Sequence, residues 1–191
     1  MTVGWRAEDW RRLHSIAPGG FDEPEDIRRV LDSLGYLSEW RQSYAIRSAR
    51  ASLHAARITC IDAAVLSYGL MELLFSTVKR RLLAIHRRDP AGEEVGHCVT
   101  IYWNGAGRIG AFSKSSYAGL GHRDAVYADE LAIASSYAKE YLAMGFEPLY
   151  FGVTTLEEIA PDLDWRFHPG ALNEISDRLK ERYEYAFMLA R

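Results

Sequence analysis

Cys60 and His97 are the two side chains of this sequence best suited, by type and by setting, to covalent chemistry together. Thr59 precedes Cys60, and Asp62 stands three positions after that threonine, the pattern of a capping box that opens a helix. Cys60 is then the first helical residue. Backbone N–H groups at that end lack intrahelical partners, and the aligned peptide dipoles leave partial positive charge there. Such a setting stabilises a thiolate and lowers the thiol pKa. The plainer alternative is a cysteine that only fills space.

His97 sits in residues 94–103 (EVGHCVTIYW), a run rich in strand formers. Side chains alternate along a strand, so His97, Val99, Ile101 and Trp103 share one face, and Cys98, Thr100 and Tyr102 the other. The first face is the more apolar and is expected to pack on the helix that Cys60 opens, which turns His97 toward the sulfur and Cys98 away. A turn at Asn104-Gly105 leads to a further strand, residues 108–113 (RIGAFS). A three-residue loop, 104–106, sets Ile101 opposite Ile109, Val99 opposite Ala111 and His97 opposite Ser113, with Arg108 outside. Ser113 is therefore the candidate that orients the imidazole. Nucleophile, base and orienting residue form the set that cysteine acyl chemistry needs. His97 takes the thiol proton, the sulfur attacks a carbonyl, and the backbone N–H of Cys60 helps to hold the oxyanion.

The elements that must position this trio are legible in outline. Residues 61–75 are apolar nearly all round, which marks a buried helix at the centre of the domain. Upstream, the first third reads as helical. Pro24 with Glu23, Glu25 and Asp26 suits a helix start, with Gly35 as its stop, and Ser38 is expected to cap a second helix carrying Trp40, Tyr44, Ile46 and Leu53. Downstream, strands are expected at 81–88, 94–103, 108–113 and 149–153. Helices are expected at 129–144, ended by Gly145, then after the Thr155/Glu158 capping box, and over 174–190. Helices first, then a cluster of strands, then mixed elements, predict an α+β fold. Its parts are a helical N-terminal portion (residues 1–55), a central buried helix packed on a mainly antiparallel β-sheet, and C-terminal helices, all in one domain spanning 1–191.

Composition sets the bounds. The chain has 191 residues, 48% of them hydrophobic and 26% charged, which excludes disordered and collagen-like classes and gives enough length for a sizeable core. A net charge of -3 argues against nucleic acid or an anionic membrane as partner. Two cysteines make no disulfide framework. Neither a signal-peptide pattern at the N-terminus nor a membrane-length apolar run is present, so a cytoplasmic location is expected.

Cys60 after Thr59 at the head of an apolar helix, Gly96-His97 on a Val- and Tyr-bearing strand, and the strand ending at Ser113 together resemble the transglutaminase-like branch of the papain-like cysteine enzymes, over residues 56–117. The resemblance implies a helix packed on an antiparallel sheet, and hydrolysis, transamidation or acyl transfer through a cysteine. Two positions depart from the family pattern. Ser113 stands where the family has an aspartate, and Cys98-Val99 follow the histidine where an aromatic is usual. A serine can accept the imidazole N–H and fix the tautomer without adding a carboxylate's charge. Asp124, in the loop beyond, is the alternative orienting group.

Other features divide between two uses. Lys79, Arg80, Arg81, Arg87 and Arg88 form a basic cluster, either solvated charge on strand ends or an anion site. His122, Arg123 and Asp124 cluster in a glycine-bounded loop without the ligand spacing of a metal site. His14, His54, His86 and His168 offer no readable partner. No glycine-rich phosphate loop is present, so no cofactor is expected. The sequence thus predicts a cysteine-dependent hydrolase or acyltransferase acting through a Cys60 acyl-enzyme on a small-molecule or peptide acyl substrate, free or carrier-bound. The alternative is a non-catalytic binding or scaffold domain on the same fold.

Overall fold

The computed structural model describes residues 4–38 and 45–187. The N-terminal part contains α1 (Ala7–Ile16), a single 3-10 turn at Pro24–Asp26 that runs into α2 (Ile27–Asp32), and β1 (Gly35–Tyr36). Then come α3 (Ala49–Leu53), β2 (Arg57–Ile58) and α4 (Cys60–Leu74), followed by β3 (Arg80–Arg88), β4 (Glu94–Trp103), β5 (Ile109–Phe112) and β6 (Arg123–Tyr127). The chain continues through α5 (Glu130–Ala143), β7 (Glu147–Thr154), α6 (Leu156–Ile159), α7 (Glu174–Lys180) and β8 (Tyr185–Ala186). Strands β3 to β8 form one antiparallel sheet in the order β6-β5-β4-β3-β7-β8, and β1 and β2 make a small parallel pair. The fold is α+β. No helix among the described residues is long and apolar enough to cross a membrane.

The sheet is covered on both faces. Helix α4 lies on one, where Ala64, Val65 and Tyr68 pack against Leu82, Ala84 and Cys98, and Ala63, Leu66 and Leu70 join Tyr102 and Phe112. Thr100 Oγ1 donates to the Ala64 carbonyl at 2.8 Å and ties β4 to the helix. Helix α5 covers the other face, setting Ile133, Ala134, Tyr137 and Tyr141 against Leu83, Ile85, Val99 and Ile101. This reverses the expected facing of β4: the Cys98–Thr100–Tyr102 side meets α4, and His97 points to the α5 side. Both faces are buried, so Thr100, Tyr102 and Cys98 behave as core despite their polar atoms.

Several boundaries also differ from expectation. Ser48, not Ser38, caps α3, its hydroxyl accepting from the Ala51 N–H, and Ile46 lies outside that helix. Trp40 and Tyr44 lie outside the described residues. Gly35 begins a strand rather than stopping a helix, because its N–H bonds the Ala56 carbonyl. The last helix ends at Lys180, and the chain then adds β8 as a sheet edge. Residues 123–127 form β6 where a loop was expected. The strands β3, β4 and β7, the helix α5 and both threonine capping boxes are as anticipated.

Gly69 of α4 lies where α3 packs closely on the helix. A Cβ built there would lie 2.8 Å from the Ala49 Cβ of α3, a rigid neighbour. Gly69→Ala gains about 1 kcal/mol of helix propensity but overpacks the contact at a cost of about 1–3 kcal/mol. Urea unfolding is expected to show a net loss of about 1 kcal/mol; a gain would show that α3 moves aside freely.

Candidate active site

The sequence at Cys60 folds as the capping pattern demands. Thr59 Oγ1 accepts from the Asp62 N–H at 3.3 Å, and Asp62 accepts from the Thr59 N–H at 3.1 Å. Asp62 also receives the Arg47 N–H at 2.9 Å and the Arg47 guanidinium at 3.1 Å. This buried knot fixes the first turn of α4 and so the direction of the Cys60 side chain. The sulfur is near the backbone N–H groups of Cys98 and of the first turn of α4. It therefore lies against β4 at the residue next to His97.

Burial nonetheless wins at the thiol. It pushes the Cys60 pKa above its ordinary value, against the opposing pull of those N–H groups and of the Arg87 charge. The lowered thiol expected from the helix start is thus corrected: the dipole is present, but desolvation of an anion in this enclosed place outweighs it. Cys98, in the core, is also pushed up, by burial and by Cys60 nearby. Both cysteines are free, with Cys60 half-buried.

His97 is buried on the α5 side, with Tyr137 and Tyr141 rings at centroid distances of 5.9 and 6.3 Å. Its Nε2 lies 3.0 Å from Ser113 Oγ. The Ser113 hydroxyl donates to the Leu120 carbonyl at 2.6 Å, so its lone pair is what remains for the imidazole. That assigns the ring proton to Nε2 and leaves the lone pair on Nδ1. Burial, then the charges of Arg87 and Arg123, hold the His97 pKa down to about 3, so the ring is neutral at physiological pH.

The His97–Ser113 contact arises differently from the expected register. Thr100 pairs with Phe112, Ile101 with Ala111 and Trp103 with Ile109, a shift of two residues. The cause is a five-residue turn, 104–108, in which the Asn104 side chain accepts the N–H groups of Ala106 and Arg108 and the Asn104 N–H bonds the Arg108 carbonyl. A shift of two preserves the facing of every side chain. Ser113 therefore stays on the His97 face and meets the ring from a diagonal position just past the end of β5.

Asp124 is not the orienting group. It is exposed and bonds Arg28 at 2.7 Å. His122 instead supports Ser113 from behind, its Nδ1 accepting the Ser113 N–H at 3.0 Å while its Nε2 faces Asp32 at 3.2 Å. Two other histidines have clear partners across the fold, His54 with Asp9 at 2.7 Å and His86 with Glu94 at 2.9 Å. Sequence spacing could not show these contacts, because each joins separate elements or strands.

Cys60 and His97 both line one cavity of about 430 Å³. His97 leaves β4 on the α5 face while Cys60 opens the helix on the other, so the expected facing of imidazole and sulfur is not found; among the described residues no hydrogen bond joins the two side chains, and the ring is held by Ser113. Tyr36, Tyr117 and Tyr183 also line it, as do Arg87 and the α7 residues Leu179 and Lys180. The tyrosines are the site residues that sequence reasoning missed; the sequence marks Arg87 only as one of a basic cluster and does not tie it to Cys60. Tyr36 and Tyr183 come from distant parts of the chain, and only the pairing of β1 with β2 and the return of the chain after α7 bring them here. No protein-family model and no curated protein sequence matches this chain.

Proposed function

We propose that the protein is a cysteine-dependent acyl-transfer enzyme of transglutaminase-like type, working through a Cys60 acyl-enzyme with His97 as general base and Ser113 as its positioning residue. The observation that carries this reading is that Cys60 and His97 line one cavity, with the His97 Nε2–H committed to a serine whose own proton is engaged elsewhere, so that the lone pair is on Nδ1. The free protein holds a neutral thiol and a neutral imidazole. The reaction requires the two side chains to meet in the substrate complex, and the Cys60 S–H proton then passes to His97 Nδ1 as the sulfur bonds the acyl carbon. The bond from that carbon to its leaving group then breaks, and the leaving group takes the proton from His97. Water or an amine, deprotonated by the same nitrogen, releases the acyl group and returns the thiol.

The test is acylation by an activated donor. Hexanoyl-N-acetylcysteamine is expected to transfer its acyl group to Cys60 and not to the buried Cys98, seen as one modified peptide by mass spectrometry. Cys60→Ser is expected to abolish that thioester. A protein that stays unmodified, or is modified equally on both thiols, would leave the cavity as the binding site of a non-catalytic domain.

A further inference from the structure

Arg87 belongs to the basic cluster for which the sequence left two uses, solvated charge on strand ends or an anion site; it is 9% exposed and lines the Cys60 cavity. It stands beside an irregularity in the β3/β7 pairing, where His86 pairs with Tyr150 but Arg87 with Pro148. The guanidinium lies over the Tyr141 ring at 4.4 Å and the Phe146 ring at 4.9 Å, and Nη1 donates to the Tyr141 hydroxyl at 3.2 Å. Nε is buried and has no partner.

Among the described residues no carboxylate pairs with Arg87, although the other arginines of β3 are all paired. Arg80 meets Glu72, Arg81 meets Glu130, and Arg88 meets both Glu94 and Glu147. The two acids that line the cavity are already engaged, Glu94 by His86 and Arg88, Asp177 by Lys180. A buried cation without a counter-ion is costly, and two aromatic faces offset only part of that cost. One guanidinium with unused donors matches one planar monoanion better than a phosphate dianion.

We infer that Arg87 is the recognition residue for a carboxylate on the ligand, so that the cavity takes an acyl substrate with a carboxylate at a distance from the reacting carbonyl. This deepens the acyl-transfer reading and rests on it for the word substrate; the carboxylate site itself does not. The placement also bears on the chemistry. The Arg87 charge disfavours a proton on His97. A carboxylate seated on Arg87 offsets that charge, and His97 becomes a better base when the correct ligand is present.

Two measurements separate the claims. In the first, adipyl- and hexanoyl-N-acetylcysteamine, equal in chain length and different by one carboxylate, are compared as donors to Cys60. The wild-type protein is expected to prefer the adipyl donor at least tenfold in kcat/KM, and Arg87→Met to lose that preference. The same preference in both proteins would overturn the inference. In the second, thermal unfolding is followed with hexanoate and with hexanamide. Hexanoate is expected to raise the wild-type Tm, hexanamide to leave it unchanged, and Arg87→Met to respond to neither. A hexanoate shift confined to the wild type, with neither donor reacting, would remove the enzyme reading and keep the carboxylate site. An equal shift in wild type and Arg87→Met, or none in either, would remove the carboxylate site. Arg87→Lys guards against misfolding, since it keeps the charge and is expected to retain part of both responses.

Discussion

Replacing His97 with alanine is expected to slow acylation of Cys60 by about a hundredfold to ten-thousandfold, the range that a positioned general base supplies. The thiol cannot make up the loss. Burial holds its pKa above the ordinary value, so few molecules carry a thiolate at neutral pH without a base to take the proton. The variant leaves a gap between Tyr137, Tyr141 and Ser113 that is lined for an imidazole. Added imidazole is therefore expected to recover part of the rate in His97→Ala and none in Cys60→Ser, a distinction that general damage to the fold would not produce. Ser113→Ala is expected to cost less, about tenfold to a hundredfold, because it frees the ring to turn or change tautomer without removing the base. Single-turnover acylation across pH 6–9 checks all three. A rate in His97→Ala within threefold of wild type would remove His97 from the chemistry.

The sequence made the site legible wherever a local rule governs. The Thr59-Cys60-x-Asp62 pattern is a short-range cap, and the helix begins where the pattern puts it. The even-number property of strand shifts kept Ser113 beside His97 although the turn was two residues longer than supposed. What failed was the choice of sheet face. Alternation identifies a buried face only when the other meets water, and β4 is buried from His97 to Tyr102 on both sides. The thiol pKa failed for a related reason. A helix start can be read from four residues, whereas enclosure comes from Tyr36, Arg87, Tyr183 and α7, which only the tertiary fold assembles. Arg87 belongs to the same class: nothing in the run RLLAIHRR separates it from Arg88, which is exposed enough to hold two glutamates.

The same burial gives a sharp pH signature for stability. In the unfolded chain His97 takes a proton near 6.5, but in the folded protein it does so only near 3. Between those values the unfolded state holds a proton that the native state refuses, so His97 subtracts stability as the pH falls, by about 1.4 kcal/mol per pH unit. Asp62 works in the opposite direction. Burial raises it from 3.8 to about 6, so the native state holds the extra proton there, and its contribution improves as the pH falls from 6 to 3.8. The wild-type curve is therefore flattened across that interval, and neither residue can be read from it alone. His97→Gln isolates the histidine, because Asp62 is common to both proteins and cancels in the difference. At pH 7 the variant is expected to be the less stable by about 1–2 kcal/mol, for lost packing and an imperfect bond to Ser113. The gap should close near pH 5 and reverse near pH 4, where the wild type bears a cost of about 3 kcal/mol that glutamine does not. Urea unfolding at pH 7, 5.5 and 4 reads the crossing. A difference that stayed constant would mean that the ring reaches solvent in the native state, and a base so exposed would not need substrate to supply the missing negative charge.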